Sequence, residues 1–330
     1  MSAPLAMTMG EPAGIGGDIS LLAWTMAAQA GLPAFFLIDD ADRLQTLAIR
    51  LGLSVPIARI AGPEQAGPMF SEALPVLHRP LPRRVAAGRP EPACAKCVVA
   101  SIEEAVTLTR AGRSAAVVTN PIHKKTLYDA GFAFPGHTEF LAELSGGVRV
   151  AMMLASPQLR VVPVTVHLAL KEAIAALTTQ DIVETGQITA SSLQRDFGIA
   201  TPRLAVAGLN PHAGEEGAMG DEDVRIVAPA VAALRARGID ARGPLPPDTM
   251  FHAAARATYD AALCMYHDQA LIPLKTLDFD GGVNVTMGLP FVRTSPDHGT
   301  AFDVAGTGRA RPASLIAAIR LAADIAARRG

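Results

Sequence analysis

Three histidines each follow a short apolar run about one strand long. His167 ends LRVVPVTVH, His212 follows LAVAGLNP, and His267 ends LCMYH. They lie 45 positions apart (167 to 212) and 55 apart (212 to 267), so nothing local gathers them. A parallel sheet can, because its strand ends line up along one edge. Three neutral imidazoles with open remaining positions suit a catalytic divalent metal such as zinc. Beside a substrate hydroxyl, that charge lowers the hydroxyl's pKa, and a deprotonated oxygen expels hydride from its carbon more readily than an alcohol does. Hydrolysis is served equally well, so the histidines alone do not choose. Any one of them is more commonly an ordinary loop or core residue; the shared position after strands is what favours the joint reading.

Other polar residues stand where strand ends are expected. AAVVTNPIHKK (115–125) ends in Thr119, Asn120, His123, Lys124 and Lys125. Ten residues on, PGHTE offers His137 and Thr138 before a helix, Thr138 being either its N-cap or a donor to phosphate or carboxylate. Asp248 sits in the proline-stiffened GPLPPDTM, where a turn role is as natural as a chemical one. Lys275, Asn284 and Arg293 follow within a short stretch: a point charge, an amide and a bidentate anion binder. DHGTAFDVAGTGRARP (297–312) is dense in small and polar residues and reads as a ligand loop that lets backbone approach closely. MTMGEPAGIGG (7–17) is glycine-rich but fails two phosphate-loop patterns. Ile19 stands where a dinucleotide fingerprint starting at Gly14 needs Gly or Ala, and Asp18 stands where a P-loop needs Lys. A tight turn into a helix N-terminus remains, able to hold an anion or simply to turn the chain.

The elements that must position these residues alternate. LAMTM (5–9) and AFFLI (34–38) read as strands, each followed by helical spacing, from 18 to about 30 and from 41 to 51. Residues 62–92 are proline-rich and irregular, with one candidate strand at 74–78. A helix at 94–111, a strand at 115–119, a helix near 138–145, and strands at 149–154 and 159–166 follow. Helices at 178–196, 221–237 and 313–328 and strands at 204–208 and 261–265 complete the pattern. This β-α order predicts a doubly wound α/β protein. With 330 residues, 50% hydrophobic and 18% charged, there is material for two lobes and little for disorder. A net charge of -2 gives no field that favours nucleic acid. No basic leader with a long apolar stretch opens the sequence, and no apolar segment is long enough to span a membrane, so a cytoplasmic protein is expected. Cys94 and Cys97 form a C-x-x-C without further cysteines or histidines nearby and are expected, with Cys264, to be reduced thiols.

GEPAGIG (10–16), TNPIHK (119–124), FPGHTEF (134–140), GLNPHAGE (208–215), MYHDQ (265–269) and NVTMGLPFVRTSPDHGTAFD (284–303) together resemble the 4-hydroxythreonine-4-phosphate dehydrogenase family, in order over nearly the whole chain. The resemblance implies an isocitrate/isopropylmalate dehydrogenase-like fold. Its two α/β/α lobes would hold the active site in the cleft between them. Residues 1–130 with 285–330 would form the cofactor-side lobe, and 131–284 the metal, substrate and dimerisation lobe. It implies that His167, His212 and His267 hold a divalent cation (Zn, Mg or Co), with His267 supplied by the second subunit of a homodimer. His137, Thr138, Lys275, Asn284 and Arg293 would bind substrate, and Asp248 would assist proton transfer. His298, Gly299, Thr300, Ala301, Asp303 and Gly306 would hold NAD or NADP. The implied reaction is oxidation of 4-phosphooxy-L-threonine, followed by decarboxylation, on the route to pyridoxal phosphate. Relatives that oxidise D-threonate or D-erythronate 4-phosphate, or an aromatic cis-dihydrodiol, share this chemistry. A metal-dependent hydrolase or lyase of a phosphorylated metabolite is the non-redox alternative. One departure is visible: Gly17 stands where the family usually has proline.

Overall fold

Short runs of Val, Ile, Leu, Phe and Ala bounded by glycine and polar residues become strands because extended backbone lets such side chains pack on both faces of a sheet. The computed structural model describes residues 3–330. Its strands are β1 (Leu5–Thr8), β2 (Phe35–Asp39), β3 (Ile57–Ile60), β4 (Leu74–His78), β5 (Val117–Val118), β6 (Ala151–Ala155), β7 (Arg160–Pro163), β8 (Arg203–Ala207), β9 (Asp240–Leu245), β10 (Ala261–Cys264), β11 (Val283–Met287) and β12 (Arg293–Pro296). β1, β2, β10 and β12 are buried along their whole length, as helix-covered strands should be.

The chain forms two compact units. One runs up to Val148 and resumes over Leu289–Ala327; the other comprises Arg149–Gly288 and Arg328–Gly330. Residues 131–148 thus belong with the first unit, where Arg110 Nη1 donates to Leu144 O at 2.9 Å. In the first unit the strand order is β3-β4-β2-β1-β5-β12, parallel throughout. In the second it is β11-β6-β7-β10-β8-β9. There β11, β6 and β7 pair antiparallel, while β7, β10, β8 and β9 run parallel.

Helix ends follow local chemistry. Asp40 caps the helix Ala41–Arg50 by accepting from Asp42 N and Arg43 N, and Thr178 caps Thr179–Phe197, which stops at left-handed Gly198 (φ 71°). Several sequence expectations are corrected. The helix expected from 18 to 30 begins at Gly16 and breaks at Met26 into Gly16–Thr25 and Ala27–Ala30. The helix expected over 221–237 opens as a π turn, Asp223–Val227, before Ala228–Ala236; Pro229 has no N–H to donate back to Arg225, so regular α bonding cannot run through the junction. The stretch 62–92 carries short helices at Pro63–Gln65 and Ala66–Met69 besides β4. β3 has no counterpart among the expected strands: it is four residues long, lies at the sheet edge, and only its last residue is buried. No helix of the described residues is long and apolar enough to cross a membrane.

Candidate functional site

In the first unit, the carboxyl end of β5 and the start of β12 bring cations and donors together. Arg293 opens β12 beside Val117 of β5 and is 3% exposed. Its Nη2 donates to Thr119 Oγ1 at 2.6 Å. Burial lowers the guanidinium pKa to about 10, against the pull of Glu139, so it remains charged at neutral pH. His137 and Thr138 are the first two residues of the helix His137–Leu144. Gly136, not Thr138, occupies the N-cap position, and no side chain caps this end, so the capping role expected of Thr138 is not observed. The hydroxyl and the first-turn N–H groups therefore stay available to an anion. His137 is half-buried, but its Nε2 is enclosed without a hydrogen-bond partner. Burial holds its pKa well below the usual 6.5, helped by the positive charges of Arg293 and Lys124, so the ring is neutral. Edge-on packing of Phe132 against Phe134 and Phe140, with centroids 5.4 and 5.0 Å apart, stiffens the turn that presents it.

The glycine-rich turn is structural rather than a phosphate cradle. Asn120 donates from Nδ2 to Thr8 O at 3.0 Å and to Ser20 Oγ at 2.9 Å. A Cβ on Gly10 (φ +68°) would lie 2.7 Å from Asn120 Cβ, which excludes other residues there. The 298–306 loop docks on the same turn: Ile15 N donates to Thr300 O at 3.0 Å, and Gly14 leaves room for that oxygen. Ala301 holds a left-handed φ of 42°, and His298 Nδ1 lies 3.1 Å from Gly299 O. Gly306 N donates to Asp18 Oδ1 at 2.7 Å, while Asp303 O accepts from Arg309 Nη2 at 3.1 Å. These bonds anchor all but the tip of the loop.

In the second unit the three histidines follow β7, β8 and β10, which are neighbours in the order β7-β10-β8 and run parallel. His167 and His267 stand with ring centroids 6.2 Å apart in the same chain, where the resemblance implied a second subunit's His267. Val164 N and Thr165 Oγ1 bond to Cys264 O and Met265 O, each at 2.8 Å, and this stitches the two strand ends together. His267 Nδ1 meets Asp268 Oδ1 at 2.7 Å, which leaves Nε2 for a metal. Gln269 accepts from Met265 N and donates to Gly208 O at 2.8 Å, tying the His267 helix to the end of β8. His212 is exposed in a loop where residues 212–216 all have positive φ. Such strain persists only when surroundings over-determine it. Here buried Asp223 accepts from Leu209 N, Asn210 N and Asn210 Nδ2. His212 does not join the other two in a cluster of ligand atoms within 4.8 Å of one another.

The remaining expected residues are more dispersed. Lys275 lies in the helix His267–Leu277 with Nζ 5.7 Å from the Phe279 ring. Asn284 sits on β11 opposite Leu154, its Oδ1 buried without a hydrogen-bond partner. Asp248 is exposed in the short turn Pro247–Thr249. Sequence reasoning gave no role to Glu139 or to Asp18; their types were visible, but nothing local signalled that Asp18 is buried or that Glu139 stands near Arg293.

One group of potential cation ligands does close up: Asp40, Asp42 and His78. Their atoms are engaged otherwise. Asp40 caps a helix and accepts from Leu81 N, His78 Nδ1 accepts from Ala41 N at 3.1 Å, and Asp42 pairs with Arg59. This is helix-capping geometry. The three cysteines are free thiols, and burial pushes Cys94 up to about 11, far from a reactive thiolate.

Comparison with known proteins matches residues 32–322 to the family described as pyridoxal phosphate biosynthetic protein PdxA. A 4-hydroxythreonine-4-phosphate dehydrogenase of Bradyrhizobium diazoefficiens is 56% identical, over 98% of this chain and 97% of that protein. The crystal structure of the 4-hydroxythreonine-4-phosphate dehydrogenase of Klebsiella pneumoniae is similar with a TM-score of 0.88 at 40% identity, covering 98% of this chain and 100% of that one. A terephthalate 1,2-cis-dihydrodiol dehydrogenase of Burkholderia xenovorans reaches a TM-score of 0.65 at 27% identity, over 98% of both chains.

Proposed function

The chain belongs to the family of the pyridoxal phosphate biosynthetic protein PdxA, and from that premise we propose that it is a 4-hydroxythreonine-4-phosphate dehydrogenase. It removes two electrons and a proton, as hydride, from C3 of 4-phosphooxy-L-threonine, passes them to NAD or NADP, and releases the hydroxyl proton. The product, 2-amino-3-oxo-4-phosphooxybutanoate, loses CO2 to leave 3-amino-2-oxopropyl phosphate. The observation that carries this reading is the placement of His167, His267 and His212 after three neighbouring parallel strands. Their imidazole donors fit a divalent cation (Zn, Mg or Co), which when bound supplies positive charge beside the reacting hydroxyl and the ketone derived from it.

The protein's own residues do the rest. Arg293, held by Thr119 and charged at neutral pH, binds the phosphate, joined by Thr138 and the helix N-terminus. Neutral His137 donates through Nε2 without adding a second buried charge beside Arg293. Asn284 Oδ1, an enclosed acceptor, receives the substrate ammonium, and Lys275 steers the carboxylate. Asp248 accepts the hydroxyl proton from its exposed turn, and residues 298–306 hold the dinucleotide. Leu168, Leu170 and Ile174 near His167, and Ile272 on the helix of His267, are exposed apolar side chains that a second copy would cover. A homodimer that shares the metal site follows, in the cytoplasm and without nucleic acid.

The test is absorbance at 340 nm during incubation with a divalent metal, NAD and either 4-phosphooxy-L-threonine or D-erythronate 4-phosphate. Reduction with the threonine compound, abolished by EDTA, supports the reading. Reduction only with the erythronate compound moves the substrate. No reduction with either, in folded metal-loaded protein, sinks it and brings forward a cis-dihydrodiol, the substrate class of the Burkholderia relative.

A further inference from the structure

The turn that carries His212 is wound against the preference of its own residues. His212, Ala213, Gly214, Glu215 and Glu216 have φ between 41° and 79°, a turn of left-handed helix in which every residue but Gly214 carries a Cβ. L-residues enter this region singly rather than in runs, because Cβ crowds the following carbonyl oxygen. The turn's own backbone bonds are few: Ala213 N to Asn210 O, Ala218 N to Glu215 O and Met219 N to Gly214 O, each at 3.1 Å. His212, Glu215 and Glu216 are exposed, so burial of apolar surface does not hold the turn either.

Asp223 does. It opens the π turn Asp223–Val227 and is 1% exposed. Its Oδ1 accepts from Leu209 N at 2.7 Å, and its Oδ2 accepts from Asn210 N at 3.0 Å and from Asn210 Nδ2 at 3.1 Å. Asn210 Nδ2 donates to Glu222 Oε2 as well, at 2.9 Å. Arg225, two residues on, pairs with Asp221 instead. A buried carboxylate is costly unless donors surround it, and here the donors belong to the two residues that lead into the turn. Packing is close: a Cβ on Gly214 would meet Asp223 Oδ2 at 3.3 Å, and one on Gly208 would meet Ala213 Cα at 2.8 Å. Gly208 is itself pinned, N to Leu245 O and O to Gln269 Nε2, each at 2.8 Å. The end of β8, the His267 helix and the His212 turn thus share one frame.

We propose that Asp223 is a positioning residue for metal binding: its three hydrogen bonds hold the left-handed turn before any ion arrives, so that His212 is presented as a preformed ligand. The identity of the ligand rests on the metal reading of His212; the geometry of the clamp does not. Asparagine is the discriminating substitution. It keeps size and shape, but one of its arms is an NH2 group that faces an N–H whichever way the amide is turned. The turn is then free to relax out of the left-handed region, and His212 leaves its place.

Calorimetric titration of the full chain with cobalt(II), without substrate or nicotinamide, tests this. Wild-type protein binds the ion, and His212→Ala binds it at least about tenfold more weakly. Asp223→Asn weakens binding by about 10- to 100-fold, as loss of the bonds that orient a metal ligand does. Introduced into His212→Ala, Asp223→Asn has no further effect, because the carboxylate acts on the ion only through that imidazole. Asn210→Ala, which removes one of the three donors, weakens binding less and keeps the test open if the Asp223 variant does not fold. Asp221→Asn, on the exposed pair with Arg225, leaves affinity unchanged. Wild-type affinity in Asp223→Asn, or in Asn210→Ala where that is the variant that folds, overturns the proposal. So does a further loss in the His212→Ala background, which marks a general structural role. Undiminished affinity in His212→Ala would instead remove the metal reading of that histidine, and the positioning role with it.

Discussion

The surroundings of Arg293 in the first unit and of the three histidines in the second are built on opposite plans. Around Arg293, the guanidinium and Thr119 are buried, His137 is half-buried with its Nε2 enclosed and its ring held neutral, and short contacts fix them within one unit. Around the histidines, His167 and His212 are exposed, and two of the three imidazoles pair up while the third sits on a strained loop. The first region is preorganised by burial, which sets its protonation before substrate arrives. The second is organised by strand order and left open, and under the proposed function a metal and a second copy would complete it.

The largest effect should come from the open end. His212→Ala is expected to lower activity by at least about a hundredfold and to reduce metal content measured by atomic absorption, with the melting temperature nearly unchanged. Retention of full metal content would break the comparison, because the histidines would then be surface residues. At the buried end, Arg293→Met should raise KM for the phosphorylated substrate by about 10- to 100-fold, since a charge-assisted contact is worth roughly 1.5–3 kcal/mol. Arg293→Lys should recover only part of this, because a point charge cannot keep Thr119 and also span two phosphate oxygens.

Burial at His137 also makes a pH prediction. Its folded pKa lies below the unfolded value, so the unfolded chain binds the extra proton as pH falls from about 6.5 toward the folded pKa. Stability contributed by the neutral ring is therefore intact above that window and lost on acidification through it. Glu11, Asp18 and Asp39, whose pKa values are raised by burial, act in the opposite sense, so the comparison must be with a variant. Urea midpoints at two pH values, one on each side of 6, should fall more steeply for wild type than for His137→Asn. Parallel curves would mean that the ring is not enclosed. The smallest effect is expected at Asp40→Ala: about 1 kcal/mol of stability from a lost helix cap, with no change in metal content. A change in metal content there would move the cation to the Asp40, Asp42 and His78 group.

Much of the scaffold could be read from local pattern. β1, β2, β4, β7, β8 and β10 fall within two or three residues of the apolar runs that suggested them, because runs of buried aliphatics have few other uses. β3 escaped since its residues are only partly buried at an edge, and the Asp223–Val227 turn escaped since helical spacing does not reveal which amides lack partners. The resemblance supplied roles for residues such as Asn284 and Lys275, whose types alone were no guide. The helix-capping geometry of Asp40 and the burial of Asp18 had no local signature.

Sequence by itself determined the alternation of strands and helices, the strand-end positions of His167, His212 and His267, and the glycines that let the 298–306 loop come close. These depend on period, residue type and neighbours a few positions away. Only the tertiary structure decided that β10 lies between β7 and β8, that Arg293 bonds Thr119 across 174 positions, and that Asp18 meets Gly306 across 288. Strand order, burial of a charge and the partner of a polar atom are properties of packing between distant segments, and no local pattern in the chain encodes them.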